Sequence, residues 1–225
     1  KKLERNQMIE IIEVKSNSQI KEFVNFQFKL YEKSPFWVPP IKNEELFFLN
    51  KETNPAFKTS DVALFLAFKE KKIVGRIAAI VNWIEVNKLK KNKVRFGWFD
   101  VVDDFEVTKL LIEKVKEFGR YRKMDFIEGP VGFSNMDKAG MLVMGYDKMN
   151  TIITNYNYPY YPIHMEQLKM KKLAQWIEFE IKIPDFKNSP AKIRKFGKLI
   201  LNKYNLNVLH FKKNSQIEPY VNEMF

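Results

Sequence analysis

The chain has 225 residues, of which 45% are hydrophobic and 15% aromatic, a composition that supports a buried core and excludes an intrinsically disordered protein. It has no cysteine and only two histidines, which excludes disulfides and cysteine-based zinc sites, and we predict no metal site. The formal net charge of +12 comes mostly from lysine, which favours a solvated lysine surface over a nucleic-acid site.

The N-terminal part of the chain predicts alternating strands and helices. Ser16 to Ser18 supply capping residues for a helix whose apolar side includes Phe23, Val24 and Phe28. In chain order the predicted elements are a strand at residues 8–14, a helix ending at Tyr31, a proline-rich break at 34–40, a short helix at 41–50, a turn at 54–57 and a hairpin of strands 62–69 and 73–83. A lysine-rich link at residues 87–93 follows.

Residues 94–130 predict a strand, a helix and a second strand. Residues 94–102 are rich in aromatic and β-branched side chains, and Asp103 and Asp104 then end the strand and cap a helix over residues 105–122. Residues 126–130 return as a strand. This order predicts a parallel βαβ unit at the end of an antiparallel meander, and therefore a mixed sheet.

The C-terminal part predicts fewer regular elements. The apolar pattern indicates short strands at residues 151–154, 173–183 and 207–211, a helix at 163–170, a basic amphipathic helix at 189–204 and a helix from Ser215. Residues 184–186 read as a boundary, so we predict one domain over residues 1–184 and the start of a second over 185–225. The first residues contain neither an initiator Met nor a signal peptide, and we expect a trimmed cytoplasmic protein.

Five short motifs of the chain are distinctive, namely FWVPP at 36–40, GRIAAIVN at 75–82, GWF at 97–99, EGPVGFS at 128–134 and YPYYP at 158–162. Together they resemble uncharacterised bacterial members of the acyl-CoA N-acyltransferase (GNAT) superfamily. The resemblance covers about residues 8–183. It implies an α+β or α/β fold with a mixed, mostly antiparallel central sheet, flanking helices and a central βαβ unit, often followed by a second related domain.

The resemblance also implies a cofactor, acetyl-CoA or another acyl-CoA. The superfamily holds its pyrophosphate on backbone amides at the turn that follows the fourth strand, which here is Val101, Val102, Asp103 and Asp104. A glycine-rich turn is usual there, whereas this turn has no glycine and two aspartates, so the cofactor site is degenerate. Asn135 lies where the superfamily often places a cofactor contact; it is equally part of a helix-cap pattern.

Candidate catalytic residues follow from the same resemblance. A tyrosine that protonates the leaving thiolate is expected near the start of the late helix, at Tyr160 or Tyr161. Both are equally consistent with packed tyrosines whose hydroxyls bond to the backbone. Glu128 is a candidate base for the substrate amine, as is Asp100, and each is also consistent with a charge at a strand edge.

Two functions therefore compete. The first is an acyl-CoA-dependent N-acyltransferase that acts on a small-molecule or peptide amine. The second is a non-catalytic module of the same fold, in which the basic helix binds an anionic partner: a membrane surface, a nucleic acid or an acidic protein. Nucleic acid and membrane are not the expected partners, and the sequence does not fix the oligomeric state.

Overall fold

A computed structural model describes residues 8–183, 185 and 188–224. These residues form two compact units that divide between Lys172 and Leu173. The predicted domain boundary lies about twelve residues later, and two of its residues, Pro184 and Phe186, are outside the described part of the chain. The prediction that a further domain begins at residue 185 stays a prediction.

The first unit is built on a five-stranded sheet. Its strands are β1 (Glu10–Glu13), β2 (Ser60–Lys69), β3 (Lys72–Asn82), β4 (Lys93–Val101) and β5 (Phe126–Glu128), and they lie side by side in that order. The first four pair antiparallel, and β4 pairs parallel with β5. The mixed, mostly antiparallel sheet is therefore confirmed, as is the βαβ unit that ends it.

Helices flank the sheet. The first unit contains α1 (Asn17–Leu30), α2 (Lys42–Phe48), α3 (Trp83–Leu89), α4 (Phe105–Tyr121) and α5 (Tyr160–Gln167), and the second contains α6 (Ala191–Lys203) and α7 (Glu218–Met224). The described residues also include the 3-10 turns Pro55–Lys58 and Asn214–Gln216. In the described part of the chain, no helix has the length and apolarity to cross a bilayer.

The sheet buries a separate apolar layer on each face because successive residues of a strand point to opposite sides. On β3, Ile77 and Ala79 pack with Leu111 of α4, whereas Ala78 and Ile80 pack with residues of α1. The sheet is thus sandwiched between α4 and α1. On β4, Phe96 and Phe99 belong to the layer under α4, whereas Trp98 packs against the layer under α1.

Two helix starts are explained by local capping. Ser16 accepts a hydrogen bond from the Gln19 amide while the Gln19 side chain bonds back to the Ser16 amide, which forms a capping box for α1. Asn82 accepts hydrogen bonds from the amides of Ile84 and Glu85 and starts α3. The predicted strand therefore ends one residue before Trp83, and part of the predicted link is helical.

The late helix begins earlier than predicted. The sequence predicts it at residues 163–170, but α5 runs from Tyr160 to Gln167. Pro162 lies in its first turn, where a missing backbone N–H removes no intrahelical hydrogen bond.

The strand predicted at residues 151–154 is wrong, because the amide of Thr154 donates to the carbonyl of Thr151 in a turn.

Two further strand predictions are wrong. Residues 173–183 and 207–211 have exposed side chains and no strand structure, although their apolar residues alternate. Alternation describes the side chains of a strand, but a strand also needs a neighbouring strand for its backbone hydrogen bonds, and the sheet of the described residues includes neither segment. The basic amphipathic helix is confirmed as α6.

Candidate active site

A cavity of about 260 Å³ opens where β4 separates from the chain that follows β5. The two segments are still bonded at Phe96, whose carbonyl accepts the Val131 amide at 2.8 Å. They diverge next, and residues 97–100 and 130–133 line the cavity. Gly97 is required at the point of divergence, because a Cβ there would lie 2.6 Å from the Val131 carbonyl oxygen.

β4 is bulged at the cavity wall. The β3–β4 register shifts between Arg76 and Ala78, and Trp98 has a φ of 44°, a left-handed value that costs a non-glycine residue about 1–3 kcal/mol. The Trp98 ring holds this conformation: its Nε1 donates to Glu45 Oε2 at 2.9 Å, and it packs edge-on against Phe133. The bulge places Ile77 of β3 opposite two residues of β4, Trp98 and Phe99, at the wall of the cavity.

A buried polar network forms one side of the cavity. Arg76 donates from Nε and Nη2 to Asp100 Oδ2, each at 2.7 Å, and the Tyr31 hydroxyl donates to Asp100 Oδ1 at 2.8 Å. The Tyr161 hydroxyl lies 2.9 Å from that of Tyr31. Burial, reinforced by the Asp100 carboxylate, raises the pKa of both phenols well above the usual range, so both are protonated at neutral pH.

The two predicted tyrosines both bond to the backbone of Val101. The Val101 amide donates to the Tyr161 oxygen at 2.9 Å, and the Tyr160 hydroxyl donates to the Val101 carbonyl at 2.7 Å. A phenol has one proton, and Tyr31 gives its proton to Asp100, so that of Tyr161 points to Tyr31 or to the Val101 carbonyl 3.3 Å away. Tyr161 lines the cavity. A catalytic role for either tyrosine stays a prediction.

Glu128 and Asn135 lie in a different cluster. Glu128 accepts a hydrogen bond from Lys93 Nζ at 2.7 Å, and Asn135 Oδ1 accepts one from Arg95 Nη2 at 2.8 Å. Arg95 and Lys93 both contact Glu85, at 2.7 and 3.3 Å. Neither Glu128 nor Asn135 lines the cavity. Their catalytic and cofactor roles therefore also stay predictions.

The start of α4 does not fit the diphosphate of a nucleotide cofactor. Asp104 Oδ1 accepts the Glu106 amide at 3.1 Å, which confirms Asp104 as the helix cap, and the Val102 amide donates to the Val74 carbonyl at 2.9 Å. The amide of Val101 is also occupied, and Asp103 adds an exposed carboxylate. Amides that already have acceptors, beside two negative charges, offer a phosphate no cradle.

Asp104 also links α4 to the β2–β3 hairpin. Its Oδ2 accepts a hydrogen bond from Lys69 Nζ at 2.8 Å. Partial burial raises the pKa of Asp104, but the Lys69 ammonium and the amides of Glu106 and Val107 outweigh burial and hold the pKa below its usual value. The charged form is therefore the one that stabilises the fold.

Replacing Asp104 with alanine is expected to lower the free energy of unfolding by about 0.5–2 kcal/mol at pH 7, because the cap is lost. Part of this contribution comes from the charged carboxylate. It is present above the pKa that Asp104 has in the unfolded chain, and it is lost as the pH falls through the lower pKa of the folded protein. The difference in unfolding free energy between wild type and Asp104→Ala should therefore shrink below about pH 4. Urea unfolding of both proteins from pH 3 to 7 measures it. Asp104→Asn, which keeps an acceptor oxygen without the charge, should cost less and remove the pH dependence; a constant difference at every pH would contradict the assignment.

Among the polar residues that line the cavity, Gln27, Glu45 and Lys138 were not predicted from the sequence. They come from α1, α2 and the irregular segment before α5, so no local spacing connects them. Gln27 carried one usable signal, because it is an amide on the apolar side of a helix. A polar residue at a core position usually has a polar partner, so it indicates a buried polar site, which the apolar residues beside it do not.

No family model matches the chain. It is 24% identical over 213 residues to Protein YghO of Escherichia coli, which covers 93% of this chain and 53% of that protein. It is 30% identical over 143 residues to the bacterial ceramide synthase of Caulobacter vibrioides, which covers 63% of this chain and 37% of that protein. The chain therefore spans about half or less of the length of these curated relatives.

Similar solved structures are acetyltransferases. One, described as a "predicted acetyltransferase with acetyl-CoA" from Clostridium acetobutylicum, matches with a TM-score of 0.47 and 10% identity over 77% of this chain and 96% of that one. The element order of the first unit, an antiparallel meander that leads into a single parallel strand pair across α4, is the one that the resemblance to the GNAT superfamily implied.

Proposed function

We propose that this protein is an N-acyltransferase that moves an acyl group from a thioester to an amphiphilic amine bound in the β4 cavity. The observation that carries the proposal is the cavity itself, which combines carboxylates, a strand bulge and apolar walls at the point where β4 diverges from the chain that follows β5. The GNAT fold supports acyl transfer in general, but a fold alone does not fix the reaction.

Glu45 is the residue best placed to accept the proton of the amine. Its Oε2 bonds to Trp98, while its Oε1 accepts no hydrogen bond from the described part of the chain. Asp100 is less suitable, because both of its oxygens are bonded to Arg76 or Tyr31. The proposal therefore assigns the base to Glu45 rather than to Glu128, which lies outside the cavity.

The bulge of β4 supplies the second element of the proposal. Attack of an amine on a thioester places negative charge on the carbonyl oxygen, and fixed backbone N–H groups stabilise such charge. The proposal assigns this role to backbone N–H groups of the β4 bulge near Trp98, a residue that lines the cavity. They are held in position by the hydrogen bond from the Trp98 ring to Glu45.

The amphiphilic character of the amine follows from the cavity mouth. Four large apolar residues line the cavity and are nevertheless 44–90% exposed, namely Phe48, Met136, Ile152 and Ile153. An alkyl chain that covered them would gain about 25 cal/mol per Å² of apolar surface buried. The name of one relative, a bacterial ceramide synthase, supports the same conclusion, since a ceramide is an N-acyl amide.

An acyl-transfer assay tests the proposal. Purified protein is incubated with a decanoyl thioester and either dodecylamine or butylamine, and thiol release and the amide product are measured. We expect dodecylamine to be the better acceptor by at least about tenfold in kcat/KM, because its longer chain covers the apolar mouth. We also expect decanoyl-CoA and decanoyl-pantetheine to differ by less than about tenfold, since the start of α4 does not hold the nucleotide.

Heat-denatured protein gives the uncatalysed rate. Absence of amide with every donor and acceptor at millimolar concentration would remove the acyltransferase assignment. A large advantage of decanoyl-CoA over decanoyl-pantetheine would instead show that the nucleotide is bound elsewhere on the protein. The two outcomes can be told apart, because the first is a lack of product with every donor and the second is a large ratio between the rates with decanoyl-CoA and decanoyl-pantetheine.

A further inference from the structure

Gln27 presents an unpaired hydrogen-bond donor in the cavity. The residue lies on α1, is only 7% exposed and lines the cavity. Its amide nitrogen, Nε2, donates to no atom of the described residues. A buried amide N–H without an acceptor is unfavourable, so this position calls for an oxygen from outside the chain.

Lys138 presents a second donor in the same cavity. It is partly buried and forms no direct ion pair with a carboxylate of the described residues. Burial lowers the pKa of its ammonium group, whereas the nearby Glu45 and Asp100 carboxylates act in the opposite direction. Arg76, the other cation of the lining, is already paired with Asp100. Of the two cations that line the cavity, Lys138 is therefore the one that can bind a ligand.

The charge of the cavity indicates what kind of oxygen these donors bind. Three carboxylates line it, namely Glu45, Asp100 and Asp137, against the two cations Arg76 and Lys138. A free anion would meet a net negative surface, which disfavours it. A ligand with its own ammonium group is favoured there. The two donors line the same cavity and call for an oxygen on that ligand.

We propose that Gln27 and Lys138 form a subsite for an oxygen atom of the acceptor, so that the preferred amine carries a hydroxyl or carbonyl oxygen close to its nitrogen. This inference rests on the proposed function, because it assumes that the cavity holds the amine. It adds a specificity-determining pair to that function. Glu45 receives the amine, and Gln27 and Lys138 receive the oxygen.

Matched ligands test the subsite directly. Binding of 1-aminododecan-2-ol and of dodecylamine, which differ by one hydroxyl, is followed by tryptophan fluorescence, since Trp37 and Trp98 line the cavity. We expect the wild-type protein to bind the amino alcohol at least about tenfold more tightly, because only its oxygen satisfies the two donors. The preference should fall below about threefold in Gln27→Leu and in Lys138→Met. Dodecylamine binding should change little in Gln27→Leu and should become tighter in Lys138→Met, because that variant removes a cation from the cavity.

Lys148→Met is the matched control, because Lys148 is an exposed lysine of the same irregular segment and does not line the cavity. It should keep the full preference for the amino alcohol. Equal binding of the two ligands by the wild-type protein would overturn the subsite, even if a variant failed to fold, and would leave amine binding intact. Absence of binding by either ligand would reject both the subsite and the proposed function, whereas selective binding without acyl transfer would reject the function alone.

Discussion

Replacing Asp100 with alanine is expected to lower the free energy of unfolding by about 3–5 kcal/mol, measured by urea unfolding at neutral pH. Asp100 is 7% exposed and accepts hydrogen bonds from Arg76 and from the Tyr31 hydroxyl. Without it, the Arg76 guanidinium stays buried with its charge uncompensated, which costs far more than the pair itself contributes. The Tyr31 hydroxyl also loses its acceptor.

Asp103→Ala provides the control on the same strand end. The Asp103 side chain is 70% exposed, so its loss should change stability by less than about 0.5 kcal/mol. The double variant Arg76→Met with Asp100→Leu should recover part of the loss, because no charge remains buried. Similar stability of Asp100→Ala and Asp103→Ala would show that Arg76 finds another partner and that the network is not the main support of the cavity.

The second large effect concerns Glu45. If it accepts the proton of the amine, Glu45→Gln should lower kcat/KM for acyl transfer by about 10²–10⁴-fold. The change should leave the fold intact, because the amide oxygen of glutamine can still accept the hydrogen bond from Trp98 Nε1. The kinetic assay is the one used to test the proposed function, with dodecylamine as the acceptor.

Glu44→Gln is the matched control for this prediction. Glu44 precedes Glu45 on α2, is exposed and does not line the cavity, so its replacement should leave kcat/KM within about twofold of wild type. The loss of kcat/KM in Glu45→Gln should also become smaller at high pH, because the amine is then already neutral and needs no base. Equal rates for the two variants would exclude Glu45 as the base.

Local sequence patterns predicted the framework of the first unit. The βαβ unit was readable because residues 94–130 contain their own strand, cap and helix signals, and Asp104 fulfils the predicted cap. The β2–β3 hairpin is equally local. Both rely on interactions between residues close in sequence, which composition and spacing describe well.

The cavity could not be predicted in this way. Gln27, Glu45 and Lys138 are brought together only when α1, α2 and the segment before α5 pack on β4. The strand predicted at residues 173–183 failed for the same reason, since its alternating pattern says nothing about whether a neighbouring strand is present. Tyr160 and Tyr161 were located correctly near the start of the late helix, but their bonds to Val101 depend on tertiary packing.

The chain of hydrogen bonds through Tyr31 has a consequence for biosynthesis. Tyr31 contacts Asp100, 69 residues further along, and Tyr161, 130 residues further along. A ribosome adds residues one after another from the N-terminus, at about 5–20 residues per second, so α1 emerges well before either partner. The cavity therefore cannot be complete before α5 has been made, because Tyr161 lines it and bonds to Tyr31.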